Sequence, residues 1–343
     1  MRNLFLPFLF CFLAIATLSA QETSKPLDFI KIDAYARACP RSAERSVEKL
    51  AEYLGKGAAT DWEKARVIYI WLCDNIQYDD DGYNDNDLGE NTAEEVLKCK
   101  KGVCEGFSNL YLALGQALQL NIIKVSGYSK GYSYRKGKKF NDTNHAWNLI
   151  KIQGVWHIFD ATWGQGYGSR ENGDLVSEKA FDPFWFDADP YAAIFSHLPE
   201  QSEYQLLEKP IAKGIFEWMP AVNSDYFALG FNGKSAYEAI RKDTTLLFPR
   251  IFNKKRSVTV VSAPQFENLP LKTAVLFEFK SAEIEEVAIN DARNKWTFFK
   301  KTGDLFRLEY TPTVQGELNI MLKESKKGNE YATLLRYNVR SLK

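Results

Sequence analysis

Cys104 is placed to act as a nucleophile. Small residues lead into it through Gly102-Val103-Cys104-Glu105-Gly106-Phe107, and Ser108 to Leu118 then reads as a mostly apolar, buried helix. The thiol therefore falls near that helix's first turn. Unpaired backbone N–H groups and the positive end of the dipole favour a thiolate there, and the thiolate is the form that attacks a carbonyl carbon. A buried cysteine is more often an inert core residue, so the chemistry depends on a base coming within reach.

The chain has 3 histidines, and one lies on a suitable hairpin. Asn144 to Ile152 reads as a strand, Gln153-Gly154 as a two-residue turn, and Val155 to Thr162 as the returning strand. With that turn Ile152 faces Val155, Trp147 faces Asp160 and His145 faces Thr162. Side chains alternate between faces, so His145 and Asp160 share one face as diagonal neighbours, within reach of long side chains. His157 pairs with Ile150 on the opposite face and reads as structural. The assignment that follows makes Cys104 the nucleophile, His145 the group that takes its proton, and Asp160 the carboxylate that holds the ring and favours its charged form.

The elements that must position these groups are mostly helical at first. Gln21 to Ile32 reads as an extended lead-in. Ser42 to Leu54 carries Ala43, Val47, Leu50, Ala51 and Leu54 on one helical face. Thr60-Asp61-Trp62-Glu63 is a capping box that opens a second helix through about Asn75, with Trp62, Ala65, Tyr69, Leu72 and Ile76 as its buried stripe. Thr92-Ala93-Glu94-Glu95 is another capping box, and its short helix delivers the chain to Cys104. Between them, the Asp- and Asn-rich run from Gln77 to Glu90 reads as a solvated loop near the site mouth. It lacks a proper twelfth-position Glu for a calcium loop.

At 343 residues, 45% hydrophobic and 14% aromatic, the chain is long enough for two domains. Met1 to Ala20 reads as an export signal, with Arg2 before an apolar run from Leu4 to Leu18. No later stretch reaches the length of a membrane span, so the expected product is exported, to the periplasm or the cell exterior. Removing that segment leaves 43 basic against 44 acidic residues, which gives no electrostatic case for nucleic acid. Four cysteines remain: Cys39, Cys73, Cys99 and Cys104. With Cys104 free, at most one disulfide forms among the others. No paired His or CxxC completes a zinc site.

Three blocks together resemble the transglutaminase-like superfamily of cysteine acyltransferases and peptidases: Gly102-Val103-Cys104-Glu105-Gly106, Asn144-His145-Ala146-Trp147-Asn148, and Phe159-Asp160-Ala161-Thr162-Trp163-Gly164. The later Phe184-Trp185-Phe186, His197-Leu198-Pro199 and Tyr204-Gln205-Leu206-Leu207 resemble the branch that includes the kyphoscoliosis peptidase and cytokinesis proteins. The resemblance implies a papain-like α+β core with Cys104, His145 and Asp160 as its catalytic triad. It implies an oxyanion ligand upstream of the cysteine, Tyr78 or else Gln77, beside the Cys104 backbone N–H. His197 would be a structural position after the core. Animal members need calcium at sites outside the core, and no matching sites are seen, so no cofactor and no metal is expected.

From Arg256 the chain reads as seven short strands: Ser257–Ser262, Thr273–Phe279, Ile284–Ile289, Trp296–Lys300, Leu305–Tyr310, Glu317–Leu322 and Ala332–Val339. They suggest an immunoglobulin-like β-sandwich. The expected organisation is a signal peptide (1–20), an N-terminal helical segment (21–60), a transglutaminase-like core (61–200), a linker or packing region (201–255) and the sandwich (256–343). The expected function is cysteine-dependent acyl transfer or hydrolysis on peptide or glutamine amides, hydrolysis ahead of cross-linking, with a protein or peptide substrate. The alternative is a non-catalytic binding module with a retained triad that recruits a cell-surface or protein partner.

Overall fold

The computed structural model describes residues 28–131, 134–252, 257–324, 328 and 330–341. The expected export signal lies outside the described residues. The chain is already helical at α1 (Ile30–Arg37), so the expected extended lead-in is corrected at its end. Two contacts account for this. Ile32 and Ala36 bury one helical face, and Asp33 receives a bidentate Arg66 guanidinium at 2.7 and 2.8 Å.

The next helix begins later than the apolar pattern implies. A 3-10 turn at Ala43–Arg45 stops at Ser46, whose hydroxyl accepts the Lys49 N–H and caps α2 (Val47–Lys56). α3 (Asp61–Asn75) carries the complete capping box: Thr60 Oγ1 accepts the Glu63 N–H at 3.2 Å, and Glu63 Oε2 accepts the Thr60 N–H at 2.9 Å. Thr60→Ala is expected to lower stability by about 1 kcal/mol, read as a lower urea midpoint at unchanged slope. Every residue from Ala65 to Cys73 is buried, so α3 runs through the core instead of presenting one stripe to it.

β1 (Gln77–Tyr78) is brought back towards the cysteine segment, as its later pairing shows. The Asp-rich run is not an open loop throughout. It forms α4 (Asp80–Asp85), capped by Asp79, and Lys101 ion-pairs with both Asp79 and Asp81 at 2.9 Å. After α5 (Ala93–Cys99), β2 (Lys101–Gly102) pairs in parallel with β1, setting Tyr78 against Gly102. α6 (Cys104–Ala117) starts at the thiol itself. Gly106 is required by close packing: a Cβ there would meet Val96 Cγ2 at 2.7 Å and Asn91 Oδ1 at 2.9 Å.

A five-stranded antiparallel sheet backs α6. Its strands are β3 (Asn121–Ser129), β4 (His145–Ile152), β5 (Val155–Phe159), β8 (Phe186–Ala188) and β9 (His197–Pro199), in the order β8-β5-β4-β3-β9. The hairpin register is the expected one, from Ile152 opposite Val155 to Asn148 opposite Phe159. Gln153 (φ 51°) and Gly154 (φ 86°) both take left-handed conformations, the pattern of a primed hairpin turn. The returning strand, however, ends at Phe159 instead of Thr162. Asp160 leaves the ladder because its side chain caps the short helix α7 (Ala161–Gln165), accepting the Trp163 N–H at 2.9 Å. A ribbon of β6 (Gly166–Glu171) and β7 (Asp174–Lys179) follows, and α8 (Pro190–Ala193) precedes β9.

Among the described residues, 201–252 hold a 3-10 turn at Ser202–Gln205 and three α-helices: α9 (Lys213–Trp218), α10 (Ser224–Ala228) and α11 (Gly233–Lys242). Phe216, Tyr226 and Tyr237 from them join a second hydrophobic core. The rest of that core comes from two sheets. One contains β10 (Arg250–Ile251), β12 (Asn268–Pro270), β14 (Ile284–Asn290), β15 (Trp296–Phe298), β18 (Gly316–Glu324) and β19 (Tyr331–Arg340). The other contains β11 (Thr259–Ser262), β13 (Val275–Lys280), β16 (Lys300–Thr302) and β17 (Leu305–Tyr310). Phe277 of β13 meets Tyr337 of β19 at 5.7 Å between ring centroids and joins the two sheets. The expected strand Trp296–Lys300 divides at the buried Phe299, and its halves enter different sheets.

Candidate active site

Cys104 occupies the first helical position of α6 and is half-buried. Val103 before it is extended, so the amides of the first turn are left without intrahelical acceptors, an environment that suits negative charge. The parallel β1–β2 pair fixes the segment leading into the helix.

His145 opens β4 and is buried. Its Nε2 lies 2.7 Å from Asp160 Oδ2, so the diagonal neighbours of the hairpin meet directly. Nε2 is engaged by Asp160, and Cys104 lies near enough to raise the basicity of the ring. Burial alone would depress the basicity of His145. The Asp160 carboxylate outweighs it, aided by Cys104, and raises the ring to about 10. Burial would likewise push the Asp160 carboxyl up, but His145 and His197 reverse this and hold it well below the usual carboxylate range. At neutral pH the pair is an imidazolium facing a carboxylate.

His197 was expected to be a structural position after the core, not a catalyst. It lies in the site: its Nε2 is 2.9 Å from the same Asp160 Oδ2, and its Nδ1 is 2.9 Å from Ser196 Oγ. β3 carries both rings to one end of the sheet, pairing Gly127 with His145 and Ser129 with His197. Gly127 permits this approach, because a Cβ there would stand 2.3 Å from the Leu198 carbonyl oxygen and 2.6 Å from Trp147. The sequence signals for His197 were its rarity, as the third histidine of the chain, and its place in the His197-Leu198-Pro199 block that carries the resemblance. Burial, the dominant influence, lowers it to about 4. A depressed base costs stability when protonated. Its contribution is intact above pH 6.5 and is lost as pH falls through about 4. Wild-type unfolding free energy is expected to decline by a few kcal/mol over that window, and His197→Gln to flatten the decline. Urea titrations from pH 7 to 4 measure it. His157 sits on the opposite face, opposite Ile150 and 2.7 Å from Asp187, as a structural residue would.

A cavity of about 810 Å³ opens beside His145, with Tyr78, Trp163, Trp185, Tyr167 and Lys130 in its wall. Of the two expected oxyanion ligands, Tyr78 lines this cavity and Gln77 does not. Cys104 is absent from the lining. Ligand-type atoms of His145, Asp160 and His197 lie within 4.8 Å of one another. They are engaged in direct hydrogen bonds at 2.7 and 2.9 Å, shorter than the roughly 3.3 Å between two ligands of a tetrahedral zinc ion, so this arrangement does not fit tetrahedral zinc. All four described cysteines carry free thiols. Among the described residues no helix is long and apolar enough to cross a membrane.

Comparison with known proteins adds a family to this geometry. The family model of the transglutaminase-like superfamily matches residues 48–161, a span that includes Cys104, His145 and Asp160 but not His197. The chain is similar to kyphoscoliosis peptidase of Mus musculus, 27% identical over 321 residues, covering 92% of this chain and 44% of that protein. It is similar to hillarin of Drosophila melanogaster, 29% identical over 228 residues, covering 62% and 27%. It is also similar to cytokinesis protein 3 of Schizosaccharomyces pombe, 25% identical over 206 residues, covering 60% and 23%. The chain spans less than half the length of these curated relatives.

Proposed function

Since the chain belongs to the transglutaminase-like superfamily, on the branch of kyphoscoliosis peptidase, hillarin and cytokinesis protein 3, we propose that it is a cysteine-dependent amidase acting on peptide or glutamine side-chain amides. One observation carries this reading: a buried imidazole held by Asp160 on Nε2 at 2.7 Å, with Cys104 at the start of α6 near enough to raise the basicity of the ring. In this reading Cys104 and His145 form a thiolate–imidazolium pair. The thiolate attacks the amide carbonyl carbon and forms a C–S bond. The negative oxygen of the tetrahedral intermediate is received by the Cys104 N–H and Tyr78. As the C–N bond breaks, His145 gives its proton to the departing amine. Water then adds to the thioester while His145 takes its proton, the C–S bond breaks, and the acid leaves. An amine in place of water would give cross-linking; hydrolysis is the favoured outcome, on a protein or peptide substrate.

The reading extends to the rest of the chain. We take Met1 to Ala20 as a signal that exports the protein to the periplasm or exterior, and the two C-terminal sheets as an immunoglobulin-like module that presents substrate to the core.

Alkylation with iodoacetamide or an E-64-type epoxide at pH 7 tests the centre, with peptide mapping by mass spectrometry. Cys104 is expected to be modified first. The other thiols serve as internal controls, since each is disfavoured as a thiolate. Burial raises Cys39 to about 11 and holds Cys73 well above the usual thiol range, and the hydrogen bond to Glu95 raises Cys99. A second reading, a non-catalytic binding module, is favoured by the absence of Cys104 from the cavity wall. It predicts saturable partner binding and no preferential labelling of Cys104.

A further inference from the structure

We infer that His197 is a positioning residue of the reaction centre: from β9 it fixes the Asp160 carboxylate so that Oδ2 stays seated on His145, and through it keeps the ring on Cys104. This rests on the cysteine-dependent reading above.

The contacts around Asp160 leave its carboxylate no free rotation. Oδ1 accepts the Trp163 N–H at 2.9 Å. Oδ2 is shared by His145 Nε2 at 2.7 Å and His197 Nε2 at 2.9 Å, which arrive from two different strands. Turning the carboxyl plane to better serve one partner would break another. For His197 to donate from Nε2, its Nδ1 must accept; the Ser196 hydroxyl, 2.9 Å from Nδ1 and 3.3 Å from the Ala193 carbonyl, favours that tautomer when it donates over the shorter distance. Trp163 and Trp185 pack on the ring at 4.5 and 4.4 Å between centroids and restrict its rotation.

The titratable groups that bear on His197 are Asp160 and His145. Burial keeps His197 neutral at working pH. It therefore orients the carboxylate without adding a second positive charge that would compete with His145 for it. A residue that merely filled space here would need no donor, no fixed tautomer and no share of the oxygen that holds the base.

The test follows the rate of iodoacetamide alkylation of Cys104 against pH, which reads the thiolate–imidazolium pair without a known substrate. Wild-type enzyme is expected to show an acid limb below a plateau. His197→Leu removes the donor, and its acid limb is expected to move up by about one pH unit, with about a tenfold slower reaction at pH values on the limb. His197→Gln, which restores an N–H donor, is expected to return the limb towards wild type. Ser196→Ala keeps the imidazole but frees its tautomer, and is expected to shift the limb the same way by less. A structural role alone would lower thermal stability in His197→Leu and leave the limb in place. An unshifted limb in folded His197→Leu, or in Ser196→Ala should the leucine variant not fold, overturns the inference while leaving the nucleophile intact. Wild-type Cys104 that resists alkylation overturns both.

Discussion

Cys104→Ala is expected to reduce hydrolysis of a peptide substrate by about 10⁴-fold or more, with folding retained. In the proposed mechanism the sulfur carries the acyl group, and a methyl group cannot replace it. No other thiol is poised to substitute. Cys73 is buried and bonds the Ala161 carbonyl, Cys39 is held as a thiol by burial, and Cys99 donates to Glu95. The structural cost is small because the position is half-buried and alanine suits the first turn of a helix, so a stability change within about 1 kcal/mol is expected. The measurement pairs kcat/KM on a casein-derived peptide library with a thermal melt. Turnover equal to wild type in a folded variant would remove the nucleophile from the mechanism.

Asp160→Asn should be the most damaging single change, because one carboxylate serves three partners. Asparagine can still accept the Trp163 N–H, but its amide turns a donor towards two imidazoles that themselves donate. Burial then acts on His145 against Cys104 alone, and the ring is expected to become neutral at pH 7. Turnover is expected to fall by about 10⁴-fold, and stability by about 3–5 kcal/mol, the cost of breaking a buried ion pair from one side. The pH dependence has a definite sign. His145 is raised from 6.5 to about 10, so its stabilisation is complete below pH 6.5 and is lost as pH rises through about 10. Asp160 is depressed, so its share is complete above 3.8 and is lost as pH falls through its lowered value. Urea unfolding between pH 5 and 10 should slope downward above 6.5 in the wild type and lie flatter in the variant. A wild-type profile flat over that range would contradict the buried imidazolium.

Much of the site was legible locally. The Gln153-Gly154 turn set the register of β4 and β5, and the period of a strand put His145 and Asp160 on one face, where they meet at 2.7 Å. The helix after Cys104 was legible from its apolar run and small entry residues, and α3 from its capping box. The C-terminal strands were legible from alternation and turn residues, although nothing local divides Trp296 to Lys300 between two sheets.

The chain's own residues thus determined which groups are candidates for chemistry and which short elements carry them, because caps, turns and side-chain periods act over a few residues. Only the tertiary structure decided what those elements meet. Arg66 makes a helix of the segment around Asp33, 33 positions away, and β9 brings His197 onto Asp160 from 37 positions away. Asp160 leaves its strand because capping α7 and receiving two imidazoles are better uses of a buried carboxylate than one more ladder position. Such choices are made by burial and by charge pairing across the fold, and neither has a period that can be read along a sequence.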